Sequence, residues 1–152
     1  MNRPRFLSLI AAVSAAFIAS SLWYSPLIFG KQFLELSGAG LTPEHAGTRV
    51  AGEILRNIIL ACVVERLIAL MKPSDWKHVL GLGGLLWLGF PALLLSGSVM
   101  WQNVPWMLAV IHAGDWFVKL LLMVAILDLM SRRTRIGTLI RQPAWDEDGH
   151  KL

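Results

Sequence analysis

The chain is predicted to be an all-α integral membrane protein, a four-helix bundle with both ends on the cytoplasmic side. Three observations predict it. Of 152 residues, 55% are hydrophobic and 16% charged, and the mean hydropathy is +0.58. That skew belongs to membrane chains. The apolar residues fall into four runs, about 6–29, 50–71, 78–100 and 106–130. Each is near the ~20 residues that cross a ~30 Å hydrocarbon core at about 1.5 Å per residue. With the N-terminus inside, nine lysines and arginines fall on the cytoplasmic side and two, Lys31 and Arg49, on the other. A three-span arrangement would invert that bias, so the positive-inside rule selects four. Residues 1–130 form the membrane domain, and 131–152 form a polar cytoplasmic tail.

The first run follows Arg3 and Arg5 and begins at Phe6. A signal peptide also starts with basic residues. This run, however, continues through Leu22, Trp23, Tyr24, Leu27, Ile28 and Phe29, past the small-residue cleavage sites, so an uncleaved span is expected. Ser8, Ala12, Ala16 and Ser20 recur every fourth residue and make a face suited to close helix packing. Trp23 and Tyr24 fit an interfacial aromatic belt, and Pro26 ends or kinks the helix.

Residues 30–49 read as a polar loop broken at Ser37-Gly38-Ala39-Gly40. Thr42-Pro43-Glu44 then gives an N-cap, a proline at the first helical position and an early acid. The second run is the weakest, since it holds Glu53, Arg56, Glu65 and Arg66. An amphipathic helix lying on the membrane is its rival. Cys62, the one cysteine, has no partner for a disulfide and is expected to serve packing.

Residues 73–77 form a tight turn. The third run carries Gly81, Gly83, Gly84, Gly89 and Gly97, which permit close backbone approach, and Pro91, which kinks it. A short outer turn at 101–105 makes the last two spans antiparallel neighbours. Trp101 and Trp106 there fit the interfacial belt. Past Met130 the tail is basic, then acidic at Asp146-Glu147-Asp148. It holds too little apolar surface to order by burial.

The last run decides the architecture. Its twelve strongly apolar side chains favour insertion by about 4–7 kcal/mol, and two central charges oppose it by about 5–7 kcal/mol. Alone, such a helix inserts poorly. At about 100° per residue His112, Asp115 and Lys119 share one face within roughly 60°. Asp115 and Lys119 stand in the favourable acid-first i,i+4 order. That face must look into a bundle. Glu53, Arg56 and Asn57 share a face of the second run in the same way. Counted from the outer ends, Asn57 comes level with His112. A cluster of Glu53, Arg56, Asn57, His112, Asp115 and Lys119 is the candidate ligand- or ion-binding site, for binding or translocating a small solute or ion. Its rival is structural: charges that pair to hold the bundle, with no ligand.

Other classes find less support. The pI of about 9.7 does not argue for nucleic acid, because the basic residues sit at the ends of apolar runs. The partners expected are the lipid bilayer and a second copy or a membrane subunit. No metal site is expected, since His112 has no second His or Cys at ligand spacing. No cofactor is expected either. The chain has no phosphate loop, no haem or flavin motif and no convincing nucleophile–base pair, so an enzyme acting on lipid or quinone ranks last.

One stretch is distinctive: Leu22-Trp23-Tyr24-Ser25-Pro26-Leu27-Ile28-Phe29-Gly30-Lys31. Trp87-Leu88-Gly89-Phe90, Ala113-Gly114 and Leu121-Leu122-Met123 accompany it. On these residues the chain resembles the bacterial membrane family known as domain of unknown function 1761, over roughly 8–130. The resemblance implies a four-helix integral membrane protein and no particular activity, and the expected location is the bacterial inner membrane. The family pattern puts an acid or amide before the Ala-Gly pair and an aromatic directly after it. Here His112 stands before and Asp115 after, which sets the charged stripe apart.

Overall fold

A computed structural model describes residues 3–38 and 46–140. The described residues are helical apart from turns. The helices are α1 (Arg3–Trp23), α2 (Gly30–Ser37), α3 (Ala46–Met71), α4 (Trp76–Trp87), α5 (Leu93–Gln102) and α6 (Trp106–Ile140), with a π-helical turn at Leu88–Ala92 between α4 and α5. Three stretches are long and apolar enough to cross a membrane: Arg5–Trp23, Trp76–Gln102 and Trp106–Arg133. At 26 residues α3 is also long enough, but its charges keep it out of that set.

α6 is the central rod. It packs against α1, α2, α3, α4 and α5. The small-residue face of α1 makes the closest approach: Ser8, Ala12, Ala16 and Ser20 are all buried. Between the helices lies a dry core of Ala61, Val64 and Ile68 from α3, Val79 and Leu82 from α4, and Leu120, Met123, Val124 and Leu127 from α6. The outer surface is apolar as well, with Ile18, Leu22, Leu55, Leu85, Leu94 and Val110 exposed. A surface of that kind suits lipid as its solvent.

Local chemistry explains the joints. α1 ends at Trp23, before Pro26, and the chain turns through Ser25, whose carbonyl accepts from the Gly30 N–H at 2.9 Å. A Cβ on Gly30 would collide with the Tyr24 and Ser25 backbone, so the turn needs glycine. The expected polar loop then departs from the structure: residues 30–37 form α2. Phe33 is half-buried while Lys31, Gln32 and Glu35 stay exposed, so a short amphipathic helix follows the turn. Gly38 closes it in the left-handed conformation at φ 59°. The N-cap expected at Thr42-Pro43-Glu44 lies outside the described residues.

At the start of α4 the Asp75 carboxylate accepts from the His78 N–H at 3.0 Å, a regular N-cap. Pro91 has no N–H, and its ring would strike the carbonyl four residues back. The π-helical turn around it widens the ladder and absorbs the misfit. Of the third run's glycines Gly83 alone is pressed: a Cβ there would lie 3.0 Å from Val124 Cγ2, whereas Gly81, Gly84, Gly89 and Gly97 have nothing within 4 Å. α6 continues ten residues past Met130, to Ile140, and residues 141–152 lie outside the described ones. Asp128 pairs with Arg132 at 2.6 Å, and Arg132 also donates to the Pro73 and Ser74 carbonyls, tying the α3–α4 turn to α6. Glu65 pairs with Arg5 of α1. Cys62 corrects its expectation: it is exposed on the outer face of α3.

Candidate functional site: a polar cavity between α1, α3 and α6

The six residues expected to cluster do come together. The centre is Lys119, whose side chain is 3% exposed. Its Nζ donates to Glu53 Oε1 at 2.6 Å and stands 2.9 Å from Asp115 Oδ2. Glu53 Oε2 is 3.1 Å from Arg56 Nη1, and Asn57 Nδ2 donates to Glu53 Oε1 at 3.4 Å. Asp115 Oδ1 accepts from Ser20 Oγ at 2.5 Å. The rings of Trp116 lie beneath both cations, 5.3 Å from the Arg56 guanidinium and 5.4 Å from Lys119 Nζ. His112 stands beside this knot and shares a 2.7 Å hydrogen bond, through Nδ1, with the Tyr24 hydroxyl.

Each position has a local cause. The Cα–Cβ bond of a helical residue tilts toward the N-terminus, so Lys119 lies back over Asp115 one turn before it. Opposite charges at this depth, with little water to solvate them, pair tightly. The register differs from the sequence count. Asn57 was to come level with His112, but Arg56 stacks on Trp116 and Glu53 reaches Lys119. α3 therefore sits about a turn deeper along α6, because the ion pairs set its height.

Two indoles fix α6 from opposite sides. Trp23 Nε1 donates to the Ile111 carbonyl at 3.0 Å, and Trp87 Nε1 donates to the Ala113 carbonyl at 2.7 Å. The Trp23 ring also lies against Gly114. Trp23 is thus a contact within the bundle. Trp101 and Trp106 are exposed at the turn between α5 and α6. Three of the stretches that carried the family resemblance meet here: the one with Trp23, the one with Trp87, and Ala113-Gly114.

The cluster borders a cavity of about 570 Å³. Phe17, Phe33 and Trp116 give it apolar walls, and Glu53, Arg56, His112, Asp115 and Lys119 line its polar part. Besides Phe17 and Trp116, sequence reasoning missed several contributors. Ser20 belonged to a packing face, Tyr24 to an aromatic belt, Arg49 to an outer loop, and Phe33 to a segment read as loop. The four-residue spacing of Ser20 and Tyr24 was visible. Their tie to α6 was not, because it depends on how two distant helices dock.

On the α6 side toward its C-terminus the cavity is closed. Val64, Met123 and Val124 are wholly buried beyond Lys119. The arrangement is a recess with charges along one wall and a packed apolar core beyond Lys119. It can hold and orient a small polar group.

No curated protein and no solved structure matches the chain. A family model described as a protein of unknown function (DUF1761) matches residues 7–128. That match runs from the first turns of α1 to Asp128 of α6 and takes in every residue of the Trp23–Trp87–Gly114 contact, so the chain belongs to the DUF1761 family.

Proposed function

We propose that this is a four-span protein of the bacterial inner membrane, both ends cytoplasmic, that binds a small molecule in the cavity between α1, α3 and α6. The four-span reading draws support from α3. Its outward residues Ile54, Leu55, Ile58, Ile59 and Val63 are apolar and exposed, while Glu53, Asn57 and Glu65 turn to neighbouring helices. A helix lying on a membrane would send its charges to water. The excess of basic residues at the inner turn and tail supports the orientation.

The observation that carries the binding reading is the cavity itself. Its volume falls within the roughly 300–1,000 Å³ of small-molecule sites, and it joins apolar walls to a few convergent polar groups. Binding is favoured over translocation, because the recess ends on a packed apolar core. A second reading, a structural or accessory subunit with no ligand, is favoured by one fact: each carboxylate oxygen of Glu53 and Asp115 already has a donor.

The test compares what accompanies the protein. The full chain and a Ser21→Trp variant, which fills the cavity mouth, are purified in a neutral detergent. Small molecules and lipids released from each are measured by mass spectrometry. One species near one per chain in the wild type, and absent from the variant, supports binding. No difference, with a stoichiometric second protein in both, supports the accessory role and removes the first reading.

A further inference from the structure

We infer that the cavity takes an amphipathic organic anion, an oxyanion head such as a carboxylate or phosphate on an apolar body. The inference rests on the binding reading above and names the class of its ligand. It follows from counting which hydrogen-bonding groups are already used.

Every carboxylate oxygen already has a donor, and two of those donors are cations. Asp115 receives Ser20 on Oδ1 and Lys119 on Oδ2. Glu53 receives Lys119 and Asn57 on Oε1 and Arg56 on Oε2. A cationic ligand would approach these oxygens against the charges of Lys119 and Arg56, which already neutralise them. The donors are not spent. A guanidinium carries five N–H groups, and Arg56 commits one nitrogen, Nη1, to Glu53. Its side chain is 57% exposed, so the rest of the fork faces open space. Arg49 also lines the cavity and has no carboxylate partner among the described residues. When the Tyr24 hydroxyl donates to His112 Nδ1, neutral His112 carries its proton on Nε2, a further donor.

Charge agrees with the count. Arg49, Arg56 and Lys119 are three cations against two carboxylates, Glu53 and Asp115, so the lining is +1 with His112 neutral. A planar guanidinium suits a carboxylate or phosphate through two parallel hydrogen bonds. Phe17, Phe33 and Trp116 then offer the apolar body a wall that water solvates poorly. A wholly polar anion would leave those rings unused. An uncharged hydrocarbon would leave Arg49 without a charge partner among the described residues and the remaining N–H groups of Arg56 unused.

The head group has two sources, an anionic phospholipid of the bilayer or a free amphiphile. The experiment separates them. Binding of octyl phosphate, octanoate and octyltrimethylammonium to the purified full chain is measured by native mass spectrometry. Both anions are expected to bind and the cation is not. Arg49→Gln and Arg56→Gln should each weaken octyl phosphate binding about tenfold or more, the scale of a charge-assisted hydrogen bond. Glu53→Gln, which frees Arg56, should leave anion binding intact or tighten it. Arg49 sits at the rim, so its variant remains informative where a change at Glu53 disturbs folding.

In nanodiscs, loss of octyl phosphate binding with phosphatidylglycerol but not phosphatidylcholine assigns the head group to lipid. Retention in both assigns it to a free amphiphile. Either outcome supports the anion. Binding of the cation in place of the anions overturns the inference and leaves the cavity a binding site. Anion binding indifferent to both arginine changes overturns it too. Failure of all three probes on folded protein removes the binding reading with it.

Discussion

Trp23 lies across Gly114, with its Cζ2 2.5 Å from where a Cβ on that glycine would stand. The contact lets α1 seat against α6 and brings Ser20 to Asp115 one turn away. Gly114→Ala is therefore expected to destabilise the bundle by about 1–3 kcal/mol, the usual cost of overpacking. Gly81→Ala, with nothing within 4 Å, should cost nothing. Thermal unfolding of both variants in detergent checks this, and equal melting temperatures would refute it.

Lys119 is shared by two acids, so its removal strands both. Lys119→Met should cost about 3–5 kcal/mol, the range for leaving a buried ion without its partner. Adding Asp115→Asn to Lys119→Met should recover part of that loss, since one stranded charge disappears with it. If the double variant is no more stable than the single one, Asp115 is not held in place by Lys119. Asp115→Leu combined with Lys119→Leu, if it leaves ligand retention unchanged, removes the cluster from the site.

Four spans with a cytoplasmic N-terminus make a labelling prediction. In a Cys62→Ser background, Gln102→Cys should react with a membrane-impermeant maleimide on intact cells, and Ser74→Cys only after lysis. If α3 is the second of four spans, native Cys62, which is exposed on it, should stay unreactive in intact membranes and react once detergent exposes it. Labelling of both engineered cysteines from outside would overturn the four-span arrangement.

Asp75 carries a pH dependence at the start of α4. The His78 backbone N–H, and then its ring nitrogen at 2.6 Å, hold the Asp75 pKa below the ordinary carboxylate value. Because the folded pKa is the lower one, the cap's contribution is complete above the unfolded value of about 3.9 and is lost as pH falls through the folded value. The melting-temperature difference between wild type and Asp75→Ala should thus hold steady from neutral pH to about 5 and shrink below about 4. A difference unchanged at pH 3 would contradict the assignment.

How much of this could be read from the chain varies by element. The charged faces were legible, because helical spacing alone puts Glu53 with Arg56 and Asn57, and His112 with Asp115 and Lys119. The small face of α1 was legible for the same reason, and all four of its residues are buried. α2 was not. Its eight residues lie between a proline turn and Gly38 and carry too short an apolar pattern to distinguish from loop. The depth of α3 was not legible either, since counting from loop ends ignores the ion pairs that set it.

Sequence alone determined that this chain is helical, apolar outside, and burdened with charges that hydrocarbon would reject. Periodicity and hydropathy are local quantities, and each can be summed along one helix without knowing its neighbours. Tertiary structure decided what those charges meet. It brought Ser20, Tyr24 and Arg49 to the same recess, gave every carboxylate oxygen of Glu53 and Asp115 a donor from one of three helices, and left the fork of Arg56 open. Such pairings depend on the height and rotation of one helix against another, and those follow from indole, glycine and ion-pair contacts between residues far apart in the chain.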